Sequence, residues 1–402
     1  MFTLLIFLAV LAVLVLSHEF GHFIAARKSG MKVYEFGFGF PPRLFGMQRV
    51  VEKIGDKEVK KWKYVGIGKA RDAKPHTDAQ SVSGTDGSTI YSFNLIPLGG
   101  FVRIKGEEGQ ELGPDSFASK PAWQKAITLF AGVAMNVAVA AVLLSIGFMI
   151  GLPQSAQDLP EKFVKDRQVL IIQVMSGKPA DVIGLKPGDA FFRVGDIENP
   201  RLSQVQKYID EHKNEEIGIT IKRGGELIEK RVKPFIYPDT GKGGLGVAID
   251  ESGMVSYPWY LAIWRGILAT GFYLKEIVLA FIFIIKGLFV GAPVGEVLSG
   301  PVGIAVMTGQ VAKMGFAYLL NFTALLSLNL AIINILPIPA LDGGRLLFLG
   351  ISKIIRRPFS QKYEQLAHSL GFVLLMLLVV MVTIKDIGNF KGVFINLWNK
   401  VF

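Results

Sequence analysis

Fifteen consecutive residues, Phe2 to Leu16, lack any charge, and apolar character returns from Phe23 to Ala26. That length and composition predict a membrane-spanning helix over 1–26. Segments 125–151, 316–344 and 366–385 carry the same signal. Segment 257–291 is long and apolar too, but it contains Arg265, Lys275, Glu276 and Lys286. Lys353, Arg356 and Arg357 follow the 316–344 span and belong in the cytoplasm, which requires an even number of crossings before it. Segment 257–291 therefore reads as interfacial or re-entrant, and the expected number of transmembrane helices is four.

The polar stretches between these segments have patterns of their own. Within 27–124, Val59 to Val65, Thr89 to Leu95 and Phe101 to Lys105 alternate as half-buried strands do. Leu98-Gly99-Gly100 supplies a turn, and 70–88, rich in Asp, Ser, Thr and Gly, reads as a flexible loop. Over 160–252 the pattern is strand (Val169 to Val174), turn (Gly184 to Asp189), strand (Ala190 to Val194) and helix (Leu202 to His212). A hairpin then joins Ile217–Lys222 to Ile228–Val232 around Gly224-Gly225. This is a compact α+β module of one-domain size.

Composition fits a polytopic membrane protein with sizeable polar domains, since 50% of the 402 residues are hydrophobic and 19% are charged. The chain has no Cys, which excludes disulfides and leaves His and carboxylates as metal ligands. The net charge of +11 comes without a dense Lys/Arg run. It reads as juxtamembrane charge facing the lipid bilayer, with no nucleic-acid partner. Arg27 and Lys28 follow the first apolar run, so that run reads as a retained helix with its N-terminus outside, not a cleaved signal. Residues 27–125 hold 17 Lys/Arg against 11 Asp/Glu, whereas 152–257 hold 15 against 16. That bias places the first loop in the cytoplasm and the second outside; with four spans the C-terminus is outside too.

The chemistry-bearing residues interrupt apolar runs. His18-Glu19-Phe20-Gly21-His22 closes the first span. Ionisable groups there are costly and mark function. His18 and His22 are i and i+4, so one helix face presents both imidazoles, and the intervening Glu19 can act as general base on a metal-activated water. The bland alternative is a chance His-x-x-x-His on a surface helix. Two imidazoles need a third ligand. Asp342 is the candidate, as the only acidic residue between Glu296 and Glu364. It ends Asn334-Ile335-Leu336-Pro337-Ile338-Pro339-Ala340-Leu341-Asp342-Gly343-Gly344. Pro337 and Pro339 forbid a regular helix there, and irregular backbone at membrane depth must face protein or a water-filled cavity. The alternative for Asp342 is a cap on the Gly343-Gly344 turn.

Two other functions would use the same features. Intramembrane His and Asp also mark the path of a metal-ion transporter, although no internal repeat is present. An inactive scaffold could bind peptide tails through the 160–252 module.

HExxH in the first span with a distal NxxPxPxLDG resembles the site-2 protease family of intramembrane zinc metalloproteases. More narrowly it resembles the bacterial branch, that of the regulator of sigma-E protease, which cleaves anti-sigma factors. Gly37 to Phe40, Ile96 to Val102 and Leu298 to Ile304 match that branch as well. The resemblance implies Zn²⁺ held by His18, His22 and Asp342, with Glu19 as catalytic base. It implies a membrane-re-entrant β hairpin that includes Gly99 and Gly100, and substrate contacts at Asn334, Pro337 and Pro339. The substrate would be a peptide bond within or next to the transmembrane segment of a single-span membrane protein, such as an anti-sigma factor or a signal-peptide remnant. The 160–252 module resembles a bacterial PDZ domain, with Gly244, Leu245, Gly246 and Val247 on its peptide-binding edge. The family carries Gly-Pro-x-x-Asn in its second helix, whereas this chain has Gly132-Val133-Ala134-Met135-Asn136. Asn136 reads equally as an interhelical hydrogen bond or a substrate contact.

The expected fold is thus a polytopic α-helical membrane protein of the plasma (inner) membrane. It has a cytoplasmic membrane-associated β hairpin or sheet and one extracytoplasmic PDZ-like α+β domain.

Overall fold

The computed structural model describes residues 2–54, 57–66, 89–107, 111–156, 159–238, 240–291, 299–357 and 359–389. The loop expected over 70–88 and the Leu298 end of the 298–304 match lie outside the described residues. The chain divides into two units, Met1–Leu144 with Gly266–Phe402, and Ser145–Arg265.

The first unit is built on long apolar helices. Helix α1 (Phe2–Lys28) has no helix breaker before Gly21 and closes on Arg27 and Lys28, where basic charge meets the helix dipole. Its buried residues Val10, Leu14, His18, Gly21 and Ala25 follow each other at three- and four-residue steps, with His22 four after His18, so one stripe faces protein. A small sheet follows: β1 (Val33–Ile54), β2 (Lys57–Val65) and β3 (Ile90–Ile104), in the order β2-β1-β3. The turn expected at Leu98–Gly100 falls inside β3, where Gly99 has φ +90°. Around it β3 reverses: Phe36–Phe38 pair with Gly100–Val102 on one side and with Tyr91–Phe93 on the other. A buried ion pair, Arg43 to Glu35 at 2.8 Å, holds the matching reversal in β1. Phe23, Ala26, Met31, Val33 and Ile104 form a core that fixes this sheet to the end of α1.

Helix α2 (Ala122–Ile150) contains the expected 125–151 span. Later in the chain come α5 (Trp259–Val290), α6 (Pro301–Met314), α7 (Phe316–Ile335), α8 (Asp342–Ile355) and α9 (Gln361–Asn389). The segment expected as one span over 316–344 is α7 followed by a break at 336–341, as its two prolines require. Among the described residues five helices are long and apolar enough to cross a membrane: α1, α2, Trp259–Gly287 of α5, α7 and Gln361–Gly388 of α9. Segment 257–291, expected to be interfacial or re-entrant, is thus one unbroken helix over most of its length. At the far end of α9, Asp386 accepts the Gly303 N–H of α6 at 2.7 Å.

The second unit is α+β, as expected, and wider than 160–252. Strands β4 (Leu152–Ser155), β5 (Val164–Val174), β6 (Ala190–Val194), β7 (Ile197–Glu198), β8 (Ile217–Arg223), β9 (Glu226–Val232) and β12 (Val247–Val255) form one sheet. Its order is β4-β12-β5-β6-β8-β9, with β7 on β6. The hairpin sits where Gly224-Gly225 placed it. Short α3 (Pro179–Val182) and α4 (Leu202–Glu211) close the core around Phe191, Ile171, Val205 and Ile221. The remaining strands, β10 (Phe235–Ile236) and β11 (Gly243–Gly244), pair with each other. The expected last strand from Gly244 to Ile249 is split, because Gly246 turns the backbone with φ +79° between β11 and β12. Helix α4 packs beside β11 and β12.

Candidate metal centre and active site

Three segments far apart in sequence converge at the C-terminal half of α1. The Nε2 atoms of His18 and His22 are 3.1 Å apart. Asp342 Oδ2 lies 3.0 Å from the first and 3.3 Å from the second. That oxygen is buried and has no hydrogen-bond partner. The N-cap of α8 is Leu341, with no side-chain cap bond, so Asp342 is aimed at the imidazoles and not at its own helix end. The break after α7 makes this aim possible. Ala340 takes φ +80°, unusual for a residue with a Cβ, just before α8 begins.

The imidazoles are set from α2. His22 Nδ1 lies 2.8 Å from the Thr128 carbonyl oxygen. A carbonyl only accepts, so Nδ1 carries the proton and Nε2 presents its lone pair. This is how metal-ligating imidazoles are usually held. His18 Nδ1 is 3.2 Å from the Asn136 amide, and Asn334 reaches the same ring at 3.3 Å. Gly132 lets α2 come this close, because a Cβ there would lie 2.7 Å from Cε1 of both histidines. Two imidazole Nε2 atoms and a carboxylate oxygen without a hydrogen bond form a ligand set that suits Zn²⁺. His18, His22 and Asp342 are also the one His/Asp/Glu group among the described residues able to hold a metal.

Glu19 lines the same cavity, about 610 Å³ in volume, on the helix turn between the two histidines. Its Oε2 accepts the backbone N–H of Val102 at 3.0 Å, so β3 fixes the carboxylate. Gly99 and Gly100 sit where β3 meets α1, with Gly100 close to Leu16 and Glu19. Asn136 is buried against His18 and Ser327, and its carbonyl accepts the Ser327 hydroxyl at 2.8 Å. Pro337 and Pro339 lie in the 336–341 break, and Pro339 approaches Gly344 and Gly371. Gly244 to Val247 belong to the second unit.

Sequence reading missed three contributors to the site, two of which, His368 and Arg345, line the cavity. His368 of α9 accepts the Ala340 N–H through Nδ1 at 2.7 Å and so steadies the loop that presents Asp342. A lone His near the start of an apolar segment was its signal. Arg345 of α8 pairs with Glu107, just beyond β3. Gly132 had only the pattern shared with the family's second helix to mark it.

The family model described as "Peptidase family M50" matches residues 6–53 and 80–378. Zinc metalloprotease RasP of Oceanobacillus iheyensis is 30% identical over 436 residues, covering 96% of this chain and 99% of that protein. Regulator of sigma-W protease RasP of Bacillus subtilis is 29% identical, covering 96% and 98%. Among solved structures, the PDZ domain of the SdrC-like protein of Listeria monocytogenes is 21% identical. It covers 20% of this chain and 85% of that one, at a TM-score of 0.19. The transporter and inactive-scaffold readings give way to the family match. Because that match runs through both segments that bring His18, His22 and Asp342 together, the chain belongs to peptidase family M50 and is a zinc metalloprotease.

Proposed function

We propose that this protease cuts a peptide bond within or next to the transmembrane segment of single-span membrane proteins, of the anti-sigma-factor or signal-peptide-remnant kind. In this reading His18, His22 and Asp342 hold Zn²⁺ and Glu19 is the general base. The observation that carries it is Asp342 Oδ2, which has no hydrogen bond and lies within 3.3 Å of both Nε2 atoms, in a cavity that Glu19 also lines. When bound, Zn²⁺ supplies Lewis acidity, acidifying water and polarising a carbonyl. Glu19 takes the proton of the attacking water and returns it to the leaving amine. Thr128 and Asn136 orient the imidazoles, which favours the interhelical role for Asn136 over substrate contact. The reversed strand β3 beside Glu19 offers extended backbone against which an unwound substrate can lie, with Gly99, Gly100, Asn334, Pro337 and Pro339 along its path.

The topology follows from the same site. Helices α1 and α7 both bring their C-terminal ends to it, so they run in one sense. The chain then crosses an even number of times before α7, and α1 with α2 supply two crossings. A full crossing by α5 would need another to return. Helix α6, with 14 residues, spans only about 21 Å, against ~30 Å of hydrocarbon. This supports four crossings in the plasma (inner) membrane, α5 along the interface, both termini outside and the active site near the cytoplasmic face. In the same reading the second unit is an extracytoplasmic PDZ-like domain that selects substrates through Gly244 to Val247.

Incubating the purified full-length protein with a single-span peptide, with and without a chelator, tests the chemistry. The expected result is cleavage inside the apolar segment, lost with the chelator and restored by Zn²⁺. Cleavage indifferent to the chelator would sink the assignment.

A further inference from the structure

A second cavity in the helical unit, about 250 Å³, shares no residue with the catalytic one and is lined by Arg27, Arg49, Trp62, Thr89 and Tyr91. We propose that it binds the phosphate of an anionic lipid headgroup, with the acyl chains laid along the exposed face of the sheet beside it.

The sheet register builds this surface. Arg49 pairs across the strands with Trp62, and Met47 with both Tyr64 and Tyr91. Phe45 pairs with Phe93. Residues opposite one another share a face, as do i and i+2, so these side chains form three rows on one side of the sheet. Phe45, Met47, Trp62 and Tyr64 are 46 to 65% exposed. Contiguous apolar exposure of this kind marks a contact surface. Trp and Tyr are the residues that favour the headgroup level of a bilayer.

The charge lies at one end of that face. Arg27 is in the last turn of α1, stacked over Phe23, and Phe23 in turn packs on Tyr91. Arg49 is exposed and takes part in no ion pair among the described residues. No carboxylate lines the recess. The Thr89 hydroxyl donates to the Val33 carbonyl, and Arg49 is the anion-binding group, with the positive charge of Arg27 beside it. A guanidinium fork fits phosphate oxygens two at a time. Arg27 also ends a helix long and apolar enough to span a bilayer, which puts the recess at the depth where lipid phosphates lie.

The occupant is lipid and not an added peptide strand. Residues 46–48 of β1 are paired on both sides, with β2 and with β3, so an added strand could join only along the outer edge of β2, whereas Arg49, Met47 and the aromatic rings stand on the face of the sheet. The proposal depends on α1 lying in a membrane and is independent of the protease chemistry.

The test uses the full-length protein in phosphatidylcholine vesicles that contain a minor fraction of dibrominated phosphatidylglycerol or dibrominated phosphatidylcholine. Emission from Trp62 is isolated by subtracting a Trp62→Phe variant. The expected result is stronger quenching of Trp62 by the brominated phosphatidylglycerol. Arg49→Gln should weaken that preference about fivefold, and Arg49→Lys by less. Equal quenching by the two lipids overturns the proposal. So does an unchanged preference in Arg49→Gln once circular dichroism shows its helices intact; if that variant fails to fold, an Arg49→Lys variant identical to the wild type overturns it. Loss of the preference on adding inorganic phosphate reassigns the recess to free phosphate and overturns the lipid. Loss on adding a single-span peptide reassigns the face to substrate and overturns it as well.

Discussion

The buried carboxylates of the α+β unit and Asp342 of the helical unit are treated in opposite ways. In the α+β unit, Asp189 takes the Arg223 guanidinium at 2.6 Å and the Lys186 N–H at 2.8 Å. Glu251 takes Arg167 at 2.7 Å, Arg201 at 3.2 Å and the Leu202 N–H at 3.1 Å. In the helical unit, Asp342 Oδ2 has no hydrogen bond, and neither has His368 Nε2. A buried polar atom without a partner is costly, so native structures leave few of them. The difference separates two uses of the same residue type. Satisfied carboxylates tie strands and helices together. The unsatisfied one is held ready for something the polypeptide alone does not supply.

The largest effect should come from Glu19→Gln. The expected loss in turnover of a single-span peptide is about 10²- to 10⁴-fold, with bound zinc unchanged by elemental analysis. Near-normal turnover would remove Glu19 from the chemistry. Asp342→Asn sharpens the comparison more directly. It should strip zinc from the protein and abolish cleavage, yet raise the melting temperature of the metal-free form, because a charged oxygen held in a buried place without a hydrogen bond is gone. A lowered melting temperature in the metal-free form would class Asp342 with the structural carboxylates. Gly132→Ala should push against both imidazoles and weaken zinc binding by about 10- to 100-fold, read by competition with a chelator. Unaltered affinity would mean that the close approach of α2 does not matter.

Glu251→Gln works from the other side. It should leave zinc content and minimal-peptide cleavage intact and cost the α+β unit about 2 kcal/mol, read as lost hydrogen-exchange protection in β5 and β12. Unchanged protection would show that the satisfied carboxylate is not structural. The smallest effect is one of pH. Burial pushes the Asp189 and Glu251 carboxyls upward, but the guanidiniums and N–H groups bonded to them outweigh it and hold both below the ordinary carboxylate range. Their stabilisation is therefore complete above the unfolded-state value of about 4 and is lost as pH falls below it. Pepsin should begin to cut within Val164–Val255 only on acidification through that window. Equal susceptibility at pH ~5 would contradict the sign.

Much of this protein was legible in its pattern of residues. Charge-free runs marked the long helices, because hydrocarbon tolerates few unpaired polar groups. Alternation and paired glycines marked the β8–β9 hairpin, because strand period and turn conformation are local properties. The i, i+4 spacing of His18 and His22, with Glu19 between them, named one half of the site for the same reason. The other half was not local. Asp342 could be singled out for its isolation, but a carboxylate beside two glycines could equally have capped a helix; only the approach of the 336–341 break to α1 aims it at the imidazoles. Helix α1 is apolar all round, so composition gave no clue to the stripe from Val10 to Ala25 that faces protein. Gly132, Thr128 and His368 carried little or no signal, because their roles exist only once α2 lies against α1 and α9 against the 336–341 break. Local periodicity is written in neighbouring residues, whereas the orientation of a ligand depends on contacts made hundreds of residues away.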